Sequence, residues 1–339
     1  MMSTKQPIRV ALIGGGNMAR AHVRVMLLHS PGDVRVVAVA EPDSAAYARL
    51  AAHFEEADLP PPQHYRDHKQ LLGKHAHELD VALISTPHAQ HFEQARDCLA
   101  AKLDVLLEKP MVVTAHEAQA LIAERDRSGR LLVVAFQGSL SPQVREAARL
   151  VQSGELGTLQ GIQAHVWQPW DAMTQGTWRQ QPKLSGGGFL FDTGAHMLNT
   201  VADIAGEDFA EVAAWLDNCG RAVDIRGVVM ARTRSGALVT MHAHGDTALH
   251  STGSEVQVWC ERGIVVTGQW GERLLVQRDG DHAPLPVDLP PTPSAWERFL
   301  AVRAGKIANP CPPEIGLRMA RLWDAIRKSA SAGGKPVRP

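Results

Sequence analysis

The sequence predicts a two-part α/β chain, in which an N-terminal doubly wound parallel sheet precedes an α+β part with a mostly antiparallel open sheet. Three observations predict it. Short β-branched runs alternate with helical patterns up to about residue 137, and strand-like runs then follow one another at hairpin spacing. At 339 residues the chain also exceeds the size at which one hydrophobic core usually stops growing. The expected parts are a dinucleotide-binding domain over 1–137 and a substrate-binding and oligomerisation domain over 138–339.

The first run, Ile-Arg-Val-Ala-Leu-Ile at 8–13, stops at Gly14, as a strand buried on both faces of a parallel sheet should. Comparable runs stand at 34–40, 80–85, 103–108 and 131–136, separated by helical patterns near 17–29, 44–54, 88–101 and 114–128. The proline-rich ADLPPPQHY at 57–65 cannot be a helix interior, so 57–79 reads as a loop with a weaker third strand and a short helix. Beyond a helix at 142–153, strands are expected at 159–167, 211–217, 224–234, 237–244, 254–260 and 263–267. The short links at 234–237 and 261–263 imply antiparallel pairing, because parallel neighbours need long crossovers. Helices near 184–205, 294–305 and 313–330 should cover one face of that sheet, and the final SAGGKPVRP should fray.

Composition narrows the function. Lys plus Arg total 35 against 36 for Asp plus Glu, with no long block of either sign, so neither nucleic acid nor an anionic membrane is the expected partner. The four cysteines form no zinc or CxxC spacing, the start lacks an apolar signal core, and no apolar run is long enough to span a bilayer. A cytoplasmic protein with reduced thiols is expected.

Gly14-Gly15-Gly16-Asn17-Met18-Ala19 fits GxGxxG/A between a strand and a helix, the context a dinucleotide fingerprint requires. Gly14 should make the tight turn and Gly16 should admit the pyrophosphate to the backbone, with the N–H groups of Asn17 and Met18 at the helix start. Glu41 ends the second strand, where a carboxylate binds ribose hydroxyls and repels a 2′-phosphate, which favours NAD over NADP. Thr86-Pro87 and Glu108-Lys109-Pro110 close two further strands on the same carboxyl edge.

Asp192 and His196 stand at i and i+4 of a helical pattern, where the carboxylate can hold the imidazole. Oxidising a secondary alcohol needs a base for the hydroxyl proton and a cation for the developing alkoxide, and His196 and Lys109 can divide those roles. A surface Lys109 and a helix-capping Asp192–His196 pair are the alternative reading of the same residues.

The chain resembles the glucose-fructose oxidoreductase/inositol dehydrogenase family (Gfo/Idh/MocA). GGGNMARAH, AVAEPD, STPHAQHFEQA, LLEKP, SGELGTLQGI and GGGFLFDTGAH lie in that family's order and approximate spacing over nearly the whole length. The resemblance implies an N-terminal Rossmann domain and a C-terminal domain whose open sheet often mediates oligomers, here a homodimer or homotetramer. It also implies a catalytic lysine at Lys109 and an Asp/His pair at Asp192 and His196. Two departures stand out. Thr86-Pro87-His88 replaces Thr-Pro-Asn, so His88 is assigned to the cofactor or substrate, and FQGSLS at 136–141 lacks the basic residue many relatives carry there.

Trp167, Trp170 and Trp178, with Arg179 and Lys183, lead into the glycine loop at 186–188; aromatic faces beside donors suit a pyranose or cyclitol. His91 is a further candidate for the pocket. His242 and His244 alternate on one strand face, but no third ligand is spaced for a metal and none is expected. The leading expectation is an NAD(H)-dependent oxidoreductase acting on a sugar, anhydrosugar or inositol. An NAD-dependent glycosidase and a non-catalytic NAD- and sugar-sensing regulator are the alternatives.

Overall fold

The computed structural model describes residues 6–29 and 32–339; the opening residues 1–5, where no export signal was read, lie outside them. Two compact units emerge. The first comprises residues up to Val112, His116–Ala135 and Ser294–Pro313, and the second comprises Val113–Ala115, Phe136–Pro293 and Glu314–Pro339.

In the first unit the chain alternates β1 (Ile8–Ile13), α1 (Asn17–His29), β2 (Val34–Ala40), α2 (Ser44–Glu55), β3 (Gln63–Tyr65), α3 (His68–His75), β4 (Val81–Ile84), α4 (His91–Ala100), β5 (Asp104–Leu107), α5 (Ala115–Ser128) and β6 (Leu132–Val134). The sheet order is β3-β2-β1-β4-β5-β6, all parallel. Its order reverses between β1 and β4, and the crevice at such a reversal is where open α/β sheets bind ligands. Val10–Ile13, Val81–Ile84 and Val105–Leu107 are buried throughout, which is why these strands read as continuous apolar runs without alternation. Asp43 and Asp67 cap α2 and α3 by accepting from Ala45 N and Gln70 N.

The second unit begins with α6 (Gln137–Leu140) and α7 (Pro142–Gln152), then β7 (Leu159–Trp167), α8 (Trp170–Thr174), α9 (Pro182–Ser185), α10 (Phe189–Asp192) and α11 (Gly194–Ala205). The strands β8 (Phe209–Asp217), β9 (Arg226–Thr233), β10 (Leu238–His244), β11 (Gly253–Cys260), β12 (Gly263–Thr267), β13 (Leu274–Arg278) and β14 (Leu285–Pro286) follow. The sheet order is β14-β13-β12-β11-β7-β10-β9-β8. All its pairs are antiparallel except β7 with β10, whose connection contains the four helices α8–α11 and two strands and so supplies the crossover a parallel pair needs. Ile162, Ala164, Val166, Val239 and Met241 are buried on the inner face, while His242, Trp215, Met230 and Leu238 are exposed on the other.

Four features depart from the sequence reading. The predicted helix 184–205 is three segments, because Gly188 packs so closely that a Cβ there would lie 1.9 Å from Asp224 O, and Asp224 takes the Gly188 and Leu190 amides at 2.7 and 2.9 Å. The helix expected at 294–305, α12 (Ala295–Arg303), belongs to the first unit, where Arg303 pairs with Asp104 and Asn309 donates to Leu132 O. Strands β13 and β14 complete the open sheet beyond β12 and were not expected. The final residues, which follow α13 (Pro313–Ser331), are tied down: Val337 and Val212 exchange two backbone hydrogen bonds of 2.8 Å, and Ser329 Oγ donates to Lys335 O.

Candidate functional site

Within the first unit, the glycine loop joins β1 to α1. Gly14 has φ +99°, and a Cβ there would stand 2.6 Å from Ser85 O, so only glycine fits. Gly16 has open space instead, Ala19 is fully buried, and Asn17 and Met18 are exposed at the helix start. The first turn of α1 holds no acidic residue to oppose an anion. Glu41 reaches back to this loop, its Oε2 accepting from Gly15 N at 2.6 Å and its Oε1 from Asp43 N at 2.9 Å. Ser85 Oγ is buried without a hydrogen-bond partner among the described residues. An open glycine cradle, an anion-ready helix end and an orphaned hydroxyl fit a dinucleotide, whose pyrophosphate the N–H groups at 16–18 would hold and whose ribose Glu41 would take.

The turns after β4 and β5 lie on the same carboxyl edge. Thr86 Oγ1 donates to Gln94 Oε1, Pro87 leads into a 3-10 turn at His88–Gln90, and His88 is buried with its ring 5.9 Å from that of His91. His91, expected to line a pocket, is wholly buried, with Nδ1 2.8 Å from Pro110 O and Nε2 3.0 Å from Thr86 O. Burial and the neighbouring His88 push its pKa down to about 4, outweighing the two carbonyls and Glu108, so the neutral ring donates to only one of its carbonyls. It is an internal brace between the two turns, not a pocket wall.

Glu108 is buried at the end of β5. Its Oε1 meets His22 Nε2 at 2.8 Å and its Oε2 accepts from Lys109 N at 3.3 Å. Burial raises its pKa, but the hydrogen bond and charge of His22, with the charge and amide of Lys109, more than offset this and hold the carboxyl below its ordinary value. The Lys109–Pro110 peptide is cis.

In the second unit Asp192 ends α10 and His196 lies in the first turn of α11, with the helical Thr193 between the two segments. Both side chains are buried. Asp192 Oδ2 accepts the indole N–H of Trp170 at 2.8 Å and Arg179 Nε at 3.0 Å. The guanidinium of Arg179 in turn lies 4.6 Å over the Trp178 ring. Arg179 and Trp178, expected as substrate contacts, are thus built into the support of Asp192. The His196 ring meets Phe136 and Trp270 edge-on at 6.1 and 5.9 Å.

Trp167 lies elsewhere. It stands on the outer sheet face, stacked on His165 at 5.2 Å, whereas its neighbour Val166 faces inward toward α11, so it is separated from Asp192 and His196 by the sheet itself. The sequence reading passed over Trp270, a lone tryptophan between Gln269 and Gly271, and took Trp170 as a candidate for the substrate pocket, because one indole N–H gives no hint of its acceptor. The glycines of 186–188, expected to approach a ligand, approach their own unit at Gly188, as the Asp224 contact shows. Among the described residues no group of three or more His, Cys, Asp or Glu could hold a metal; the rings of His242 and His244 meet edge-on, at 5.3 Å.

Comparison with known proteins gives the family and the fold. Residues 8–136 match the model of the oxidoreductase family with an NAD-binding Rossmann fold, and residues 144–266 match the GFO/IDH/MocA C-terminal domain. A dTDP-3,4-didehydro-2,6-dideoxy-α-D-glucose 3-reductase from Actinomadura kijaniata is 27% identical over 333 residues, covering 96% of each chain. A levoglucosan dehydrogenase from Pseudarthrobacter phenanthrenivorans is 27% identical over 221 residues, 62% of this chain and 54% of that protein. In fold, an inositol dehydrogenase homologue from Azotobacter vinelandii, solved with NAD+, superposes with a TM-score of 0.84 at 19% identity over 100% of both chains. The chain belongs to the GFO/IDH/MocA family of oxidoreductases, and its first unit is that family's NAD-binding Rossmann domain.

Proposed function

We propose that this protein is an NAD(H)-dependent dehydrogenase or reductase acting on a secondary hydroxyl or keto group of a sugar, anhydrosugar or inositol. The observation that carries the reading is the buried Asp192 carboxylate, fixed by Trp170 and Arg179 one helical turn before His196. That is more architecture than a helix cap needs. NAD, when bound, supplies the hydride acceptor. Lys109 stabilises the developing alkoxide, His196 takes the hydroxyl proton, and Asp192 offsets the charge the imidazole gains. The preference for NAD over NADP rests on Glu41, and the assignment of His88 to cofactor or substrate rests on its place after Pro87. The levoglucosan and dTDP-hexose relatives support a sugar-like substrate.

We further place the protein in the cytoplasm and as a homodimer or homotetramer through the open sheet. All four cysteines are free, no helix among the described residues is long and apolar enough to cross a membrane, and Trp215, Met230 and Leu238 are exposed on the sheet's outer face. Light scattering of the purified chain tests the assembly.

The deciding experiment incubates the protein with NAD and, separately, NADP across inositols, aldoses, anhydrosugars and uronic acids, with Lys109→Met alongside. Net NADH formation abolished by that substitution is expected. NAD binding with no net NADH from any polyol would overturn the reading and favour a glycosidase with catalytic NAD turnover or a sensor.

A further inference from the structure

We infer that His22 is a positioning residue for Lys109, acting through Glu108. The inference rests on the reading of Lys109 as the alkoxide-stabilising group. His22 lies on α1, the helix that begins at the glycine loop, and its Nε2 holds Glu108 Oε1 at 2.8 Å. The other carboxylate oxygen, Oε2, accepts the main-chain N–H of Lys109 at 3.3 Å. On the far side of the lysine, Pro110 O meets the imidazole of His91, which also reaches Thr86 O. Glu108, before Lys109, is therefore gripped by a histidine of α1, and Pro110, after it, lies against a histidine of α4.

Stability alone does not account for the grip. His22 and Glu108 are both buried, and a buried hydrogen-bonded polar pair often gains little over well-packed apolar side chains of similar volume, since each polar group loses its hydration. What the pair adds over a leucine is direction, because it fixes where the Lys109 main chain lies. A lysine side chain turns about several single bonds, so the protein controls its ammonium chiefly by fixing its backbone. A misplacement of about 1 Å costs an enzyme on the order of a hundredfold in rate. The same helix would hold the pyrophosphate at its N-terminus, so His22 refers Lys109 to the element that seats the cofactor.

The test compares His22→Leu, which removes the donor, with His22→Gln, whose Nε2 can still reach Glu108, and includes Lys109→Met. Steady-state rates are measured with NAD and levoglucosan or myo-inositol, whichever is turned over. NADH affinity is measured by fluorescence, and the methylated Lys109 amine is followed by 13C NMR, its signal assigned by its loss in Lys109→Met. In His22→Leu, kcat should fall about tenfold or more while KM and NADH affinity stay within about twofold. The Lys109 signal should shift in that variant, and His22→Gln should restore both rate and signal. A His22→Leu enzyme within about twofold of wild type in kcat, or equal losses in the two variants that follow their melting temperatures, overturns the inference. Should His22→Leu not fold, His22→Asn, too short to reach Glu108, takes its place, and equal kcat for the Asn and Gln variants overturns the inference. A fully active Lys109→Met enzyme instead defeats the underlying reading of Lys109. An inactive Lys109→Met beside a fully active His22→Leu defeats this inference alone.

Discussion

The indole N–H of Trp170 donates to Asp192 Oδ2 at 2.8 Å, on the same oxygen that Arg179 Nε reaches at 3.0 Å. Two donors on one buried oxygen fix the carboxylate's rotamer. Trp170→Phe keeps most of the ring volume and removes one donor. It should lower stability by about 1–3 kcal/mol and kcat by about tenfold, with sugar KM changed little. Urea unfolding and steady-state rates check it; unchanged kcat would remove Trp170 from the support of Asp192.

Glu41 is bound to the glycine loop through Gly15 N and to Asp43 N, so its carboxylate stands where the adenosine ribose is expected. Glu41→Ser removes the negative charge and should improve the NADP-to-NAD ratio of kcat/KM by about tenfold or more. An unaltered ratio would show that cofactor choice is made elsewhere.

His91 gives a pH dependence of stability. Its folded pKa, about 4, lies below the ordinary 6.5, so the unfolded chain binds the extra proton first. Stability from this group is complete above pH 6.5 and is lost as pH falls from there toward about 4. Urea midpoints of wild type should drop across that interval, and His91→Gln should flatten the drop even though it is less stable at neutral pH. Equal slopes for the two proteins would exclude His91 as the source.

The tail prediction follows from the Val212–Val337 bridge. Deleting residues 334–339 removes three backbone hydrogen bonds, the two of the bridge and the one from Gly334 N to Ser329 O, together with the Ser329–Lys335 bond, and takes Gly334 from the side of Trp215. A loss of about 1–3 kcal/mol and a red shift of tryptophan emission are expected. An unchanged unfolding curve would mean that the segment adds nothing to the sheet edge.

The parallel sheet was legible in the chain because its central strands are buried on both faces and its phosphate loop needs glycine at a backbone position that excludes other residues. Residues 8–19 state that locally, and Gly14 against Ser85 O is its physical content. The antiparallel strands were legible for a similar reason, since short links and alternating burial are local properties. Less was visible where partners lie far apart in sequence. No periodicity tells that α12 packs in the first unit, that β10 pairs with β7, or that the chain end returns to Val212.

The same division holds at the site. The sequence by itself determined the family, the dinucleotide loop and which lysine, aspartate and histidine are chemically suited to the reaction, because those depend on residue type and local spacing. Only the tertiary structure decided what surrounds them. It moved His91 from pocket to brace, placed Trp167 on the outer sheet face, turned Arg179 toward Asp192 and joined His22 to Glu108 across 86 residues. A histidine reads the same in a sequence whether its nitrogens face solvent, a carboxylate or two carbonyls. Its role is set by atoms that the folded chain brings within 3 Å of it.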